Sequence, residues 1–199
     1  MTEFVPRRRL LLSCGCCALS GLAFRAGASE SSAAIQDWRA SLLAEKRELW
    51  LTRDDDEIHA TYWTAKDGFN RDQYLSLCVF MRDRQAGRVF PIDRNLLDVL
   101  CGVQGWLARE GHVAPIRINS AYRSMATNRK TEGAAFNSQH ILGKAADIVV
   151  PGVSPVKLAG MAALFGHGGT GFYVGRDFIH VDSAGERIWV DQRRRSGKT

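Results

Sequence analysis

The chain has 199 residues, of which 45% are hydrophobic and 24% charged, with a formal net charge of +6. This is a globular composition, long enough for one domain with a sizeable core and too short for two full ones. The basic excess does not argue for a nucleic-acid partner, because residues 1–28 hold four arginines and one glutamate, half of the net charge.

The chain begins with a basic stretch (Arg7, Arg8, Arg9), an apolar run from Leu10 to Phe24 and a small-residue step at Ala26-Gly27-Ala28. That pattern predicts an export signal over residues 1–28, cut after Ala28. The Arg7-Arg8 pair resembles a twin-arginine address, with the general secretory route as the alternative. Cys14, Cys16 and Cys17 fall inside this segment and read as small hydrophobes. Residues 29–36 are small and polar, a linker, and residues 37–190 form the predicted domain. The closing run from 191 to 199, with Arg193, Arg194, Arg195 and Lys198, reads as a solvated basic tail, with contact to an anionic envelope polymer as the minority reading.

Within the domain, "RELWLTRD" and "EIHATYWTA" alternate apolar and polar residues around Asp54–Asp56, which predicts a β-hairpin. "RDQYLSLCVFMRDRQAG" places Tyr74, Leu77, Cys78 and Met81 at helical spacing and predicts a helix ending near Gly87. A second helix is expected between an Asp93 cap and Gly111. Cys78 and Cys101 lie on apolar faces of these two helices, and their spacing leaves a disulfide open. "PIRINSAYRS" predicts a short strand with Ile116 and Ile118 inward, "ADIVV" another, and "SPVKLAGMAALFG" a helix with Ser154 as N-cap and Pro155 at its first position. "GTGFYV", "FIHVDS" and "RIWV" then predict three short strands in a meander. The order implies an α+β domain, a small antiparallel sheet with helices packed on one side. The glycines from Gly166 to Gly171 match G-x-G-x-x-G, but they follow a helix and enter a strand, the reverse of a dinucleotide-binding turn.

Asp147 poses the chemical question, because an ionised carboxylate inside an apolar strand is costly unless it is paired or binds a metal. His140, seven residues upstream, meets it only if the chain folds back, for which Gly143 supplies the flexible point. In "FIHVDS" strand alternation sends Ile179 and Val181 to one face, and Phe178, His180 and Asp182 to the other. A histidine on a short strand is by itself more often a satisfied polar residue than a ligand. Together, however, His140, Asp147 and His180 supply two imidazoles and one carboxylate, the set used by open catalytic zinc sites.

The pattern Ser138-x-His140-x-x-Gly143-x-Ala145-x-Asp147, followed by Phe178-Ile179-His180-Val181-Asp182, resembles the zinc peptidases that include D-alanyl-D-alanine carboxypeptidases, L-alanyl-D-glutamate endopeptidases and the hedgehog signalling domain. Within that clan the resemblance is nearest to the exported murein endopeptidase K type, and it covers roughly residues 45 to 190. It implies a hedgehog/D-Ala-D-Ala-peptidase-like fold and one zinc ion held by His140, Asp147 and His180. The implied substrate is peptidoglycan stem peptide, cut by amide hydrolysis in the periplasm or at the cell wall by a monomer. Arg123 is then the group for a substrate carboxylate or the developing oxyanion, or else a structural ion-pair partner. Tyr122 and Ser138 are further candidates for substrate contact.

The general base departs from the wider clan, in which many members carry Glu-x-x-His or His-x-His before the last ligand. Here Asp177 and Phe178 occupy those positions. Asp177 is the candidate base, with a turn role as its alternative. Asp182 is expected to orient His180, and His167 in the glycine loop is expected to be exposed. A rival reading keeps the fold and the metal but makes the domain a non-catalytic wall-binding or signalling module.

Overall fold

The alternation around Asp54–Asp56 builds the expected hairpin, in which β1 (Lys46–Arg53) and β2 (Asp56–Thr64) pair antiparallel with Arg53 opposite Asp56. Asp54 takes the turn's positive φ of 52°, a conformation aspartate tolerates better than most residues. The structure, a computed structural model, describes residues 38–166 and 168–192. The proposed export segment, the linker, His167 and the basic run 193–199 lie outside the described residues.

After a two-residue strand β3 (Gly68–Phe69), α1 (Arg71–Phe80) starts at an Asn70 cap and stops seven residues before Gly87, earlier than its periodicity predicts. The reason is Asp83, whose carboxylate accepts the N–H groups of Gln85 and Ala86 at 3.0 and 3.1 Å and so stabilises a turn instead of another helical one. The second helix, α2 (Arg94–Arg109), has the expected Asp93 cap, which accepts from Asn95 N. Cys78 and Cys101 are both buried and free, and Cys78 Sγ accepts from Ile92 N at 3.4 Å.

The remaining elements are β4 (Ile116–Ser120), α3 (Met125–Lys130), a 3-10 turn (Gln139–Leu142), β5 (Ala145–Val149), α4 (Pro155–Phe165), β6 (Gly169–Tyr173), β7 (Ile179–Asp182) and β8 (Arg187–Asp191). All strands join one sheet in the order β3-β2-β1-β4-β5-β7-β6-β8. The sheet is therefore eight-stranded rather than small. It is mostly antiparallel, with β1–β4 and β6–β8 as parallel pairs. The predicted meander is also corrected. With one edge of β7 taken by β5 and the other by β6, β8 adds to the free edge of β6, and a chain returning antiparallel to β7 arrives parallel to β6.

One core runs through the molecule: Leu49, Leu51, Ile116, Ile118, Ile148, Ile179 and Val181 of the strands meet Leu77, Leu97, Leu100, Leu158 and Met161 of α1, α2 and α4. These three helices thus cover one face of the sheet, and the alternate strand positions are left for polar chemistry on the other, where Thr127 of α3 lies.

Candidate metal centre

The pattern Ser-x-His-x-x-Gly-x-Ala-x-Asp is a folding instruction for one fold-back. Ser138 caps the 3-10 turn, its hydroxyl accepting from His140 N at 3.3 Å. Gly143 ends the turn at φ +65°, and a Cβ there would lie 2.3 Å from the Pro91 carbonyl oxygen, so glycine meets both the conformational and the steric demand. The chain then enters β5, where Ala146 and Ile148 turn to the core and Asp147 to the opposite face. Between Ile118 and Ser120 the β4–β5 register slips by one residue, placing Ser120 opposite Asp147. On the other side Asp147 pairs with His180, and His180 with Gly171. Antiparallel pairing thus sets Asp147 and His180 side by side, and the fold-back brings His140 above them.

His140 Nε2, Asp147 Oδ1 and His180 Nδ1 lie 3.1 to 3.4 Å from one another. Ligand atoms about 2.0–2.1 Å from a tetrahedral ion stand about 3.3 Å apart, so the spacing fits a metal. The outer ring nitrogens strengthen the case. His140 Nδ1 faces the Ala121 carbonyl at 2.7 Å, and His180 Nε2 faces Asp182 Oδ2 at 3.0 Å. Both partners are acceptors, so each outer nitrogen carries the proton and each inner nitrogen presents a lone pair. Two lone pairs and a carboxylate converging at this spacing repel one another unless a proton or a metal cation lies between them. Burial pulls the His140 pKa down, which keeps the ring neutral and able to ligate. His180 is also penalised by burial, but its bonds to Asp147 and Asp182 outweigh this and raise its pKa. Burial opposes the charge on Asp147, and the two histidines more than offset it, holding the carboxyl well below the usual range.

Asp182 lies against the outer nitrogen of His180, at 3.0 Å. Its side chain is buried and accepts from Gly169 N, Ala184 N, both Arg187 Nη atoms and His180. Burial alone would raise its pKa; the bonds from His180 and Ala184 and the charge on Arg187 bring it down to about 2. Sequence reasoning missed Arg187 and Trp189, which reach the site from β8. A Cβ on Gly169 would sit 2.8 Å from the Arg187 guanidinium, and one on Gly171 would sit 2.4 Å from the Trp189 ring, whose centroid is 5.2 Å from that of His180. The two glycines of the decoy nucleotide motif are therefore clearances. The readable signal was glycine at alternate positions of a strand, which clears one face of β6 until Tyr173.

A cleft of about 500 Å³ opens beside Asp147, lined among others by Ser120, Tyr122, Arg123, Tyr173, Arg176 and Phe178. Arg123 lines it: its backbone N–H donates to the His140 carbonyl, and its buried Nε has no hydrogen-bond partner among the described residues. Tyr122 lies at the wall, stacked on Phe90 with ring centroids 4.8 Å apart. Two expectations are corrected. Ser138 is buried and occupied as the cap of the His140 turn, and it does not line the cleft. Asp177 does not line it either: its side chain is 76% exposed and pairs with Arg117 at 3.3 Å. Asp177 lies in the bend before β7, and its side chain turns to Arg117 rather than into the cleft. Tyr173 was not foreseen; burial, with Asp147 and Asp191 nearby, pushes its phenol up to about 12, so at neutral pH it remains a hydrogen-bond donor.

Residues 42–189 match the family model described as peptidoglycan L,D-endopeptidase MepK. The probable peptidoglycan L,D-endopeptidase MepK of Haemophilus influenzae is 36% identical over 126 residues, spanning 61% of this chain and 67% of that protein. The peptidoglycan L,D-endopeptidase MepK of Escherichia coli K12 is 29% identical over 197 residues, spanning 95% of this chain and all of its own. With three quarters of its length matched, His140, Asp147 and His180 included, the chain belongs to the peptidoglycan L,D-endopeptidase MepK family of peptidases.

Proposed function

We propose that this protein is an exported zinc peptidase that hydrolyses an amide bond in the peptide part of peptidoglycan, of the L,D type named for its relatives. The observation that carries the reading is the convergence of His140 Nε2, Asp147 Oδ1 and His180 Nδ1, with both outer ring nitrogens already bonded to acceptors. Zinc held by these three groups would supply a Lewis acid for the scissile carbonyl and bring the pKa of water toward neutrality.

The chain's own groups do the rest. Asp182 and the Ala121 carbonyl fix the two imidazoles in the ligating tautomer. Arg123, with donor capacity left over at the cleft wall, binds a substrate carboxylate or the oxygen that gains charge. Tyr173 offers a neutral donor from the opposite strand, and Tyr122 packs against the peptide. Residues 1–28 act as the export signal that delivers the domain, residues 37–190, to the compartment that holds the polymer.

Metal analysis of the purified mature domain, paired with digestion of defined crosslinked muropeptides and mass spectrometry, tests this reading. About one zinc per chain and hydrolysis products at an L,D bond are expected. Uncut muropeptides after incubation with zinc-loaded protein would overturn it in favour of a wall-binding module.

A further inference from the structure

Four arginines line the cleft, and their partners divide them. Arg53 donates to the carbonyls of Phe80 and Arg82, and Arg84 pairs with Asp54 and Asp56, so both are committed to holding one wall. Arg123 and Arg176 form no ion pair among the described residues. Arg123 follows β4, and Arg176 lies in the turn between β6 and β7; in the sheet order β4-β5-β7-β6 the two flank Asp147 from opposite sides.

Arg176 is held for binding. Its N–H donates to the Tyr173 carbonyl at 3.2 Å, closing a turn in which Gly175 takes φ +76°. Its guanidinium carbon lies 5.5 Å from the Tyr173 ring centroid and 5.7 Å from that of Phe178, and those rings are 5.1 Å apart. Stacking on ring faces fixes the position of the guanidinium without using its N–H donors. What remains is an oriented fork with unspent donors at the mouth of a cleft, the arrangement that recognises a carboxylate bidentately.

We propose that Arg176 is a specificity-determining residue that binds a free carboxylate of the substrate peptide on the wall opposite Arg123, so that the site selects acidic peptides over their amidated forms. The inference rests on the peptidase reading above, since peptidoglycan stem peptides carry free carboxylates. A second cation on the opposite wall of the cleft would hold the peptide across Asp147 at two points and fix which amide lies there.

The test uses one muropeptide with all its carboxylates free and versions amidated at each carboxylate in turn. Binding to the zinc-loaded full domain is measured by calorimetry and cleavage by steady-state kinetics, for wild type, Arg176→Gln and Arg176→Lys. Wild type is expected to prefer the free acid at one position by about tenfold, as is usual for a charge-assisted bond at a partly exposed site. Arg176→Gln should raise KM for that acid by a similar factor with a much smaller change in kcat. Amidation and the substitution should not add, because they remove the same bond, and Arg176→Lys should restore part of the preference. An unchanged acid-to-amide ratio in Arg176→Gln, or no binding preference in wild type, would overturn the inference. Preferential binding through Arg176 without any cleavage would leave it standing while removing the peptidase reading.

Discussion

Strands β5 and β7 present two unlike faces. Ala146, Ile148, Ile179 and Val181 face the helices and are essentially inaccessible to solvent, while Asp147, His180 and Asp182, one residue along, face the other way. On the helix face burial is non-directional, and stability scales with the apolar area removed from water. On the cleft face burial is tolerated only because each polar atom has a partner: Ala121 for His140, Asp182 for His180, Arg187 and backbone amides for Asp182. The same short strands therefore serve as core and as candidate metal cradle, and a substitution on either face should reveal which face it belongs to.

The largest effect should come from setting the two faces directly against each other. His140→Ala removes a ligand without touching the core; metal binding should be lost, and with it Lewis-acid assistance worth several kcal/mol, a rate loss of about a thousandfold or more. Ile179→Ala should lower unfolding stability by about 2–5 kcal/mol, yet its folded fraction should keep the zinc stoichiometry of wild type. Metal content, thermal unfolding and muropeptide cleavage measured on both variants check this. Full zinc retention in His140→Ala would dissolve the site.

Next in size is the support under the cradle. Arg187 reaches Asp182 at 2.7 Å over Gly169, and Asp182 in turn holds His180. Arg187→Met keeps much of the length and removes the charge, so zinc affinity should fall by about 10–100-fold, the usual cost of losing an outer partner of a ligand. Competition with a chromophoric chelator measures it. Arg187→Lys should recover part of the loss, because a cation returns to Asp182.

A smaller, pH-dependent effect belongs to the rim where the faces meet. Asp83 is buried; desolvation opposes its charge, but the bonds from Thr127 and Ser124 and the N–H of Ala86 bring its pKa down to about 2. Its carboxylate also receives Ser124 N, the cap of α3, at 2.8 Å. An acid depressed from about 3.9 in the unfolded chain contributes stability that is fully present above the unfolded value and lost as pH falls through the folded one. Unfolding midpoints in denaturant should therefore drop between about pH 4 and 2. Asp83→Asn should be less stable at neutral pH and should flatten that part of the profile.

Local pattern carried much of this into the sequence. Alternation in "FIHVDS" sorts Ile179 and Val181 from His180 and Asp182, and the caps at Asp93 and Ser154 are where side-chain chemistry puts them. The His140–Asp147–His180 cluster was legible because its motif encodes a local fold-back, with Ser138 to start it and Gly143 to end it. What was not legible depends on partners distant in the chain. The early end of α1 follows from Asp83 bonding to a turn and to Ser124, 41 residues on. The place of β8 follows from which strand edge is vacant, and only that place brings Arg187 and Trp189 to the cluster. Periodicity records which face a residue takes but not which strand lies beside it.

The smallest expected effect tests that limit at Asp177. Three residues before His180, it stands where the wider clan places a base, and on spacing alone its loss would cost about 10²–10⁴-fold in turnover. It lies in the bend before β7 and outside the cleft lining, and its carboxylate pairs with Arg117 in a bridge whose side chains are 45% and 76% exposed. Surface pairs of this kind contribute about 0–1 kcal/mol. Asp177→Asn should accordingly leave zinc content unchanged and kcat/KM within about threefold of wild type, since less than 1 kcal/mol corresponds to less than fivefold. Arg117→Gln should behave alike, because the two residues share one bond and touch nothing in the cleft. A loss of a hundredfold or more in Asp177→Asn, with zinc retained and with Arg117→Gln silent, would mean that the β6–β7 turn swings Asp177 onto the cleft face when peptide binds. Position before the ligand would then outrank the pairing with Arg117.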